Sequence, residues 1–214
     1  MASIYNLKPA FQNLLRPLVK ALARAGFTAN QITLAALALS CACGLAIACF
    51  PGRRWPLLLL PVTLFVRMAL NAIDGMLARE HDMKTVLGGF LNELCDVLAD
   101  AVMYLPLALV PAVAVAPVVA FTVLAGMTEM AGVTSAALGA SRRYDGPMGK
   151  SDRAFAIGTL ALLLGCGVRP GEWNDLLMIA LAALAAATIV RRVRGALREM
   201  DTPSQQFPES INHR

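Results

Sequence analysis

The chain reads as an all-α integral membrane protein, with six transmembrane helices preceded by an N-terminal interfacial amphipathic helix. Three observations predict this. Hydrophobic residues make up 57% of the 214 residues and charged residues only 15%, where a soluble domain carries roughly 25% charged residues. Mean hydropathy is +0.62. The apolar sequence is also broken into helix-length runs by short polar punctuation.

Residues 7–24, LKPAFQNLLRPLVKALAR, set Leu7, Phe11, Leu14, Leu15, Leu18 and Leu22 on one helical face. Lys8, Arg16, Lys20 and Arg24 fall largely elsewhere, which is the pattern of a helix lying in a membrane surface, with a kink expected at Pro17. The reading divides the chain into an arm, 1–26, a membrane domain, 27–200, and a polar, disordered tail, 201–214. Gly26 ends the arm. Thr28-Ala29-Asn30 offers a cap for a first span over about 31–50. Pro51-Gly52-Arg53-Arg54 turns the chain, and a second span covers about 55–78 with Arg67 inside it.

The third span begins near Val86 and continues to about Val110. Residues 101–128 carry no charge at all and are longer than one span of ~20 residues needs. A hairpin between Pro111 and Pro117 divides them. The fourth span runs to about Leu138 and holds Glu129; the fifth and sixth cover about 151–168 and 173–190. The sixth continues as a basic helix, RRVRGALREM. No internal sequence repeat is evident.

With six spans, both termini share one side. Arg79, Lys84, Arg142, Arg143, Lys150 and Arg153 lie on that side, while only Arg53, Arg54 and Arg169 lie opposite. The positive-inside rule makes the richer side cytoplasmic. The net charge of +5 is carried beside apolar spans, so it points to topology and lipid headgroups and not to nucleic acid. Cys41, Cys43, Cys49, Cys95 and Cys166 all lie in apolar stretches without a CxxC pair, so they read as small buried hydrophobes. His81 and His213 have no partner at ligand spacing.

Residues 67–100 break the apolar pattern. They hold Arg67, Asn71, Asp74, Arg79, Asn92, Glu93, Asp96 and Asp100, and polar groups at membrane depth are costly enough to mark function. Asn71 and Asp74 share a helical face, and so do Gly88, Asn92, Asp96 and Asp100. Two helices with such faces can close a polar pocket between them.

The full pattern, Asn71-x2-Asp74-Gly75-x2-Ala78-Arg79-x8-Gly88-x3-Asn92-x3-Asp96, resembles the signature of the CDP-alcohol phosphotransferase family, D-x2-D-G-x2-A-R-x8-G-x3-D-x3-D. Every spacing matches. Asp74, Gly75, Ala78, Arg79, Gly88 and Asp96 also match in identity, whereas Asn71 and Asn92 stand where the family has its first and third aspartates. The resemblance implies a transferase that moves a phosphatidyl group from CDP-diacylglycerol to a small polar alcohol or alcohol phosphate, releasing CMP. It implies that Asn71, Asp74, Asn92 and Asp96 bind divalent metal, Mg²⁺ or Mn²⁺, and that Asp96 ligates metal or acts as the general base. Asp74, Gly75, Ala78, Arg79 and Gly88 would seat the nucleotide and its pyrophosphate. A homodimer in a bacterial inner membrane is implied as well.

The chemistry suits these residue types. Displacing CMP from an anionic pyrophosphate needs charge neutralisation and an activated hydroxyl. Small residues at positions 75, 78 and 88 allow close approach, and Arg79 can pair with phosphate bidentately. Asn offers an amide oxygen to a hard cation but neither charge nor a proton acceptor. Three outcomes follow: weaker metal binding, fewer metals or a changed function. A relative that binds CDP-lipid or nucleotide as a scaffold or sensor is therefore the second reading, and a transporter is a third.

Arg142, Arg143, Lys150 and Arg153 form a second constellation near the same face. It reads equally as a site for an acceptor phosphate, as in relatives with phosphorylated acceptors, or as a topology loop. Ser151 can cap the fifth span, with Asp152 favourable at its start. Glu129 fits either a cavity or a structural ion pair.

Overall fold

The computed structural model describes residues 7–201; the expected disordered tail and His213 lie outside the described residues, apart from Asp201. Among them the secondary structure is helical throughout. The elements are α1 (Leu7–Arg24), α2 (Ala29–Cys49), α3 (Trp55–Glu80), α4 (Val86–Tyr104), a short 3-10 turn (Leu105–Leu109), α5 (Val115–Ala137), α6 (Lys150–Gly165) and α7 (Glu172–Asp201).

A helix stands at each of the six positions read as spans. Four of them, α2, α3, α5 and α7, are long and apolar enough to cross a membrane. The other two differ for visible reasons: α4 carries Glu93, Asp96 and Asp100, and α6 is 16 residues long. The 3-10 turn ends α4 earlier than the expected boundary near Val110.

Local chemistry explains the helix starts. Thr28 caps α2: its Oγ1 accepts from the Gln31 N–H at 3.3 Å, and Gln31 Oε1 accepts from the Thr28 N–H at 2.9 Å. Thr85 Oγ1 accepts from the Gly88 N–H at 2.9 Å and caps α4. At α6 the expected Ser151 cap is not the one used. The helix already begins at Lys150, and Asp152 Oδ2 reaches back to the Gly149 N–H at 3.0 Å. Gly26 ends α1 at φ +82°, a conformation that favours glycine.

The helices pack α2 against α3 and α4, α3 against α6, and α5 against α4 and α7. Gly44 lies directly under the Val102 carbonyl, so its missing side chain lets α2 and α4 approach closely. One core joins Ile47, Leu60, Met103, Phe121, Ile157 and Met178. A smaller one docks α1, through Val19, onto Ile73, Met76 and Leu77 of α3.

Docking uses one side of α1 and leaves part of its apolar face outward. Leu14 and Leu18 are exposed, while Val19 is fully buried. Arg16 pairs with Glu80 at 3.0 Å, and the Phe11 and Phe65 rings meet edge to face. Large apolar side chains such as Leu45, Phe65, Leu94 and Phe155 point outward, as on a surface solvated by lipid.

Candidate functional site

The site forms where the end of α3 meets the first half of α4. Asn71 and Asp74 project from α3, and Asp96 from α4. Asn71 Nδ2 donates to Asp96 Oδ1 at 3.1 Å, so the two motif halves touch directly. Arg67 braces the same carboxylate, with Nη2 3.4 Å from Asp96 Oδ1 and 3.0 Å from the Asp96 backbone oxygen. Lys150, the first residue of α6, brings its Nζ to 2.5 Å from Asp96 Oδ2.

Helix α2 contributes two groups that the motif does not contain. Thr33 Oγ1 lies 2.8 Å from Asp74 Oδ2, in a buried contact. An ionised carboxylate only accepts, so the hydroxyl donates. Asn30 faces Gly88, where an added Cβ would come within 2.6 Å of its Oδ1. Asn30 and Thr33 are three apart near the start of a largely apolar span, and that spacing was the available signal for them.

Gly75 and Arg79 explain each other. A Cβ on Gly75 would lie 3.2 Å from Arg79 Nη2 and 3.5 Å from Nη1. The guanidinium thus lies over the bare glycine backbone, beside Ala78. No hydrogen bond or ion pair holds Arg79 among the described residues, which leaves its planar fork available for an oxyanion.

The four basic candidates separate in space. Lys150 meets the motif. Arg142 makes a two-pronged pair with Glu93 of α4, the second contact being Nη2 to Oε2 at 2.7 Å. That hydrogen bond raises the Arg142 pKa above its ordinary value, and the Arg142 guanidinium also stacks on Tyr144. Arg143 Nη2 is 2.5 Å from both the Gly195 oxygen and Glu199 Oε2 on α7.

Arg153 does not face an acceptor. Its side chain is 1% exposed. It bonds Asp100 Oδ2 through Nε at 3.2 Å and Nη2 at 3.0 Å, Glu129 Oε1 at 2.8 Å and Thr128 Oγ1 at 2.8 Å. The expectation of direct acceptor contact is corrected to a buried brace, because every side of this guanidinium is filled.

Asp100 likewise lies below the site. Arg67 Nη1 reaches its other oxygen at 2.5 Å. A continuous chain thereby runs from Asp96 through Arg67, Asp100 and Arg153 to Glu129, with Arg192 of α7 3.9 Å beyond. Buried ions at this depth require such pairing.

Asp96 and Asp74 offer carboxylate oxygens, and the Asn71 side chain that meets Asp96 carries an amide oxygen as well. Hard divalent cations take such ligands. The residues therefore fit a cation of the Mg²⁺ or Mn²⁺ class. With Asn at two positions, no group of three or more His, Cys, Asp and Glu suited to a metal occurs among the described residues. Of the four motif positions, Asp74 and Asp96 are the two that carry negative charge.

Comparison with known proteins agrees with this architecture. The family model for CDP-alcohol phosphatidyltransferase matches residues 27–191. The chain is 42% identical over 195 residues to the inner membrane protein YnbA of Escherichia coli K12, covering 91% of this chain and 96% of that one. It is 34% identical over 106 residues to phosphatidylinositol phosphate synthase of Mycolicibacterium smegmatis, 49% of this chain and 46% of that one. Among solved structures, phosphatidylinositol phosphate synthase PgsA1 of Mycobacterium tuberculosis with CDP-DAG bound superposes with a TM-score of 0.73 at 21% identity. It covers 91% of this chain and 98% of that one. The same enzyme with manganese and citrate gives a TM-score of 0.71 at 20% identity, over 92% of each chain. Matched along most of its length and carrying the motif at one end of its helices, the chain is a membrane-embedded enzyme of the CDP-alcohol phosphatidyltransferase family.

Proposed function

We propose that the protein transfers the phosphatidyl group of CDP-diacylglycerol to a hydroxyl of a small polar alcohol or alcohol phosphate and releases CMP. The observation that carries this is the meeting of the two motif halves, with Asp96 held by Asn71, Arg67 and Lys150 beside Asp74. Asp96 takes the proton of the incoming hydroxyl. The hydroxyl oxygen forms a bond to the phosphorus bearing diacylglycerol, and the bond from that phosphorus to the CMP oxygen breaks. Arg79, lying over Gly75, holds pyrophosphate oxygens. Gly88 lets Asn30 of α2 lie close against α4 at the nucleotide side.

Asn71, Asp74, Asn92 and Asp96 would hold a divalent cation, Mg²⁺ or Mn²⁺, which supplies neutralisation of the pyrophosphate charge. Thr33 holds Asp74 oriented for that task. Among the cations of residues 142–153, we assign Lys150, half-open beside Asp96, to a phosphorylated acceptor. Arg142 and Arg143 fasten the loop to α4 and α7, and Arg153 supports it from below.

In this reading α1 lies in the membrane surface and α2 to α7 span it. The motif and both termini are cytoplasmic, and the enzyme works as a homodimer in a bacterial inner membrane. The test is CMP release from CDP-diacylglycerol by purified protein with Mg²⁺ or Mn²⁺, across alcohols and alcohol phosphates. The expected result is metal-dependent release that Asp96→Asn abolishes. If the native protein releases no CMP and Asn71→Asp with Asn92→Asp restores release, the site has left this chemistry and serves binding instead.

A further inference from the structure

The inference concerns how the motif carboxylates share their charge, and it rests on the reading that they hold a divalent cation. Asp96 has no oxygen free of a donor. Its Oδ1 accepts from the Asn71 amide at 3.1 Å and faces Arg67 at 3.4 Å. Its Oδ2 faces the Lys150 ammonium at 2.5 Å. A cation approaching Asp96 therefore meets two cationic groups and competes with them for the carboxylate's charge.

The partners are not equally movable. Arg67 is 4% exposed in its side chain and is fixed to Asp100 at 2.5 Å. Asn71 sits mid-helix on the facing wall. Lys150 is 34% exposed in its side chain and stands at the first residue of α6, on a flexible four-carbon stem. Among the described residues no other carboxylate lies within salt-bridge distance of it. Of the two cationic partners, the ammonium is the one that can leave without opening the buried chain below.

We infer that Lys150 and the divalent cation compete for Asp96, and that arrival of the cation releases the Lys150 ammonium toward an anionic acceptor. Loss of two motif aspartates fits this arrangement. With Asn at positions 71 and 92 the site offers two carboxylates, and Lys150 already neutralises part of their charge. Binding of cation and of acceptor anion then favour each other, because each gives the other a partner that Lys150 had tied up. Thermodynamic linkage makes that coupling reciprocal.

The experiment measures Mn²⁺ binding to the full-length protein in detergent, by electron paramagnetic resonance of free Mn²⁺, without lipid substrate. Lys150→Gln is expected to bind Mn²⁺ about tenfold more tightly than native protein, equivalent to about 1.4 kcal/mol. Lys150→Arg keeps the charge and is expected to stay near native affinity. Inorganic phosphate is expected to tighten Mn²⁺ binding to native protein and to leave Lys150→Gln unchanged. Size-exclusion elution matching the native protein verifies that each variant is folded. Equal or weaker Mn²⁺ binding by Lys150→Gln overturns the competition. Asp74→Asn with Asp96→Asn separates this from failure of the underlying reading. Native binding that survives that double change, or no native binding, overturns the metal site itself and the competition with it.

Discussion

Arg153→Met offers the sharpest test of how the buried charge chain divides from the catalytic surface. The substitution keeps a long side chain but removes the guanidinium that bonds Asp100, Glu129, Thr128 and the Met148 oxygen. Asp100 retains Arg67, so it keeps one partner. Glu129 keeps only the longer 3.9 Å approach of Arg192. Removing one member of a buried pair costs about 3–5 kcal/mol, because the remaining charge stays desolvated. The surviving partners place this case near the lower bound, about 3 kcal/mol. For a chain of this size each kcal/mol shifts the midpoint by about 2–4 °C, giving a fall in Tm of about 6–12 °C. The assay is thermal unfolding in detergent, followed by loss of monodisperse protein. Adding Glu129→Gln to Arg153→Met removes the stranded charge, so the double variant is expected to recover part of the loss and not to add to it. A native-like Tm for Arg153→Met, with turnover lost only for phosphorylated acceptors, would refute the reasoning and return Arg153 to the acceptor site.

Three further outcomes follow from the geometry. Gly88→Ala places a methyl 2.6 Å from Asn30 Oδ1, so the Asn30 amide must turn aside at the nucleotide side, and KM for CDP-diacylglycerol should rise with little change in Tm. Thr33→Val removes the donor to Asp74. A hydrogen bond to a charged group contributes about 1.5–3 kcal/mol, so kcat/KM should drop at least tenfold while folding is retained. Glu199 has its pKa lowered by the Ser141 hydroxyl and N–H. A carboxylate depressed in the folded state contributes stability above its unfolded pKa and loses it as pH falls through the folded value. Tm of the native protein should therefore fall more steeply than that of Glu199→Gln on acidification below about pH 5, and parallel curves would remove Glu199 from the loop anchor.

The residue pattern alone determined the helices, their order and the two polar faces, because helical period and capping chemistry are local. Thr28 and Thr85 do what their hydroxyls dictate, and Gly26 what its missing Cβ permits. The motif spacing set Asn71 and Asp74 on one face and Asn92, Asp96 and Asp100 on another, whichever helices surround them. Which faces meet was decided only by the tertiary structure. In a membrane the lipid-facing and interior sides of a helix are both apolar, so hydrophobicity does not say which side points inward. Val19, and not Leu14 or Leu18, therefore docks α1. For the same reason Lys150 and Arg153, three apart on α6, part company, the ammonium at the half-open rim and the guanidinium sealed against Asp100 and Glu129. Thr33 and Asn30 joined the site because α2 packs across both motif helices, a long-range contact that no spacing within residues 71–96 encodes.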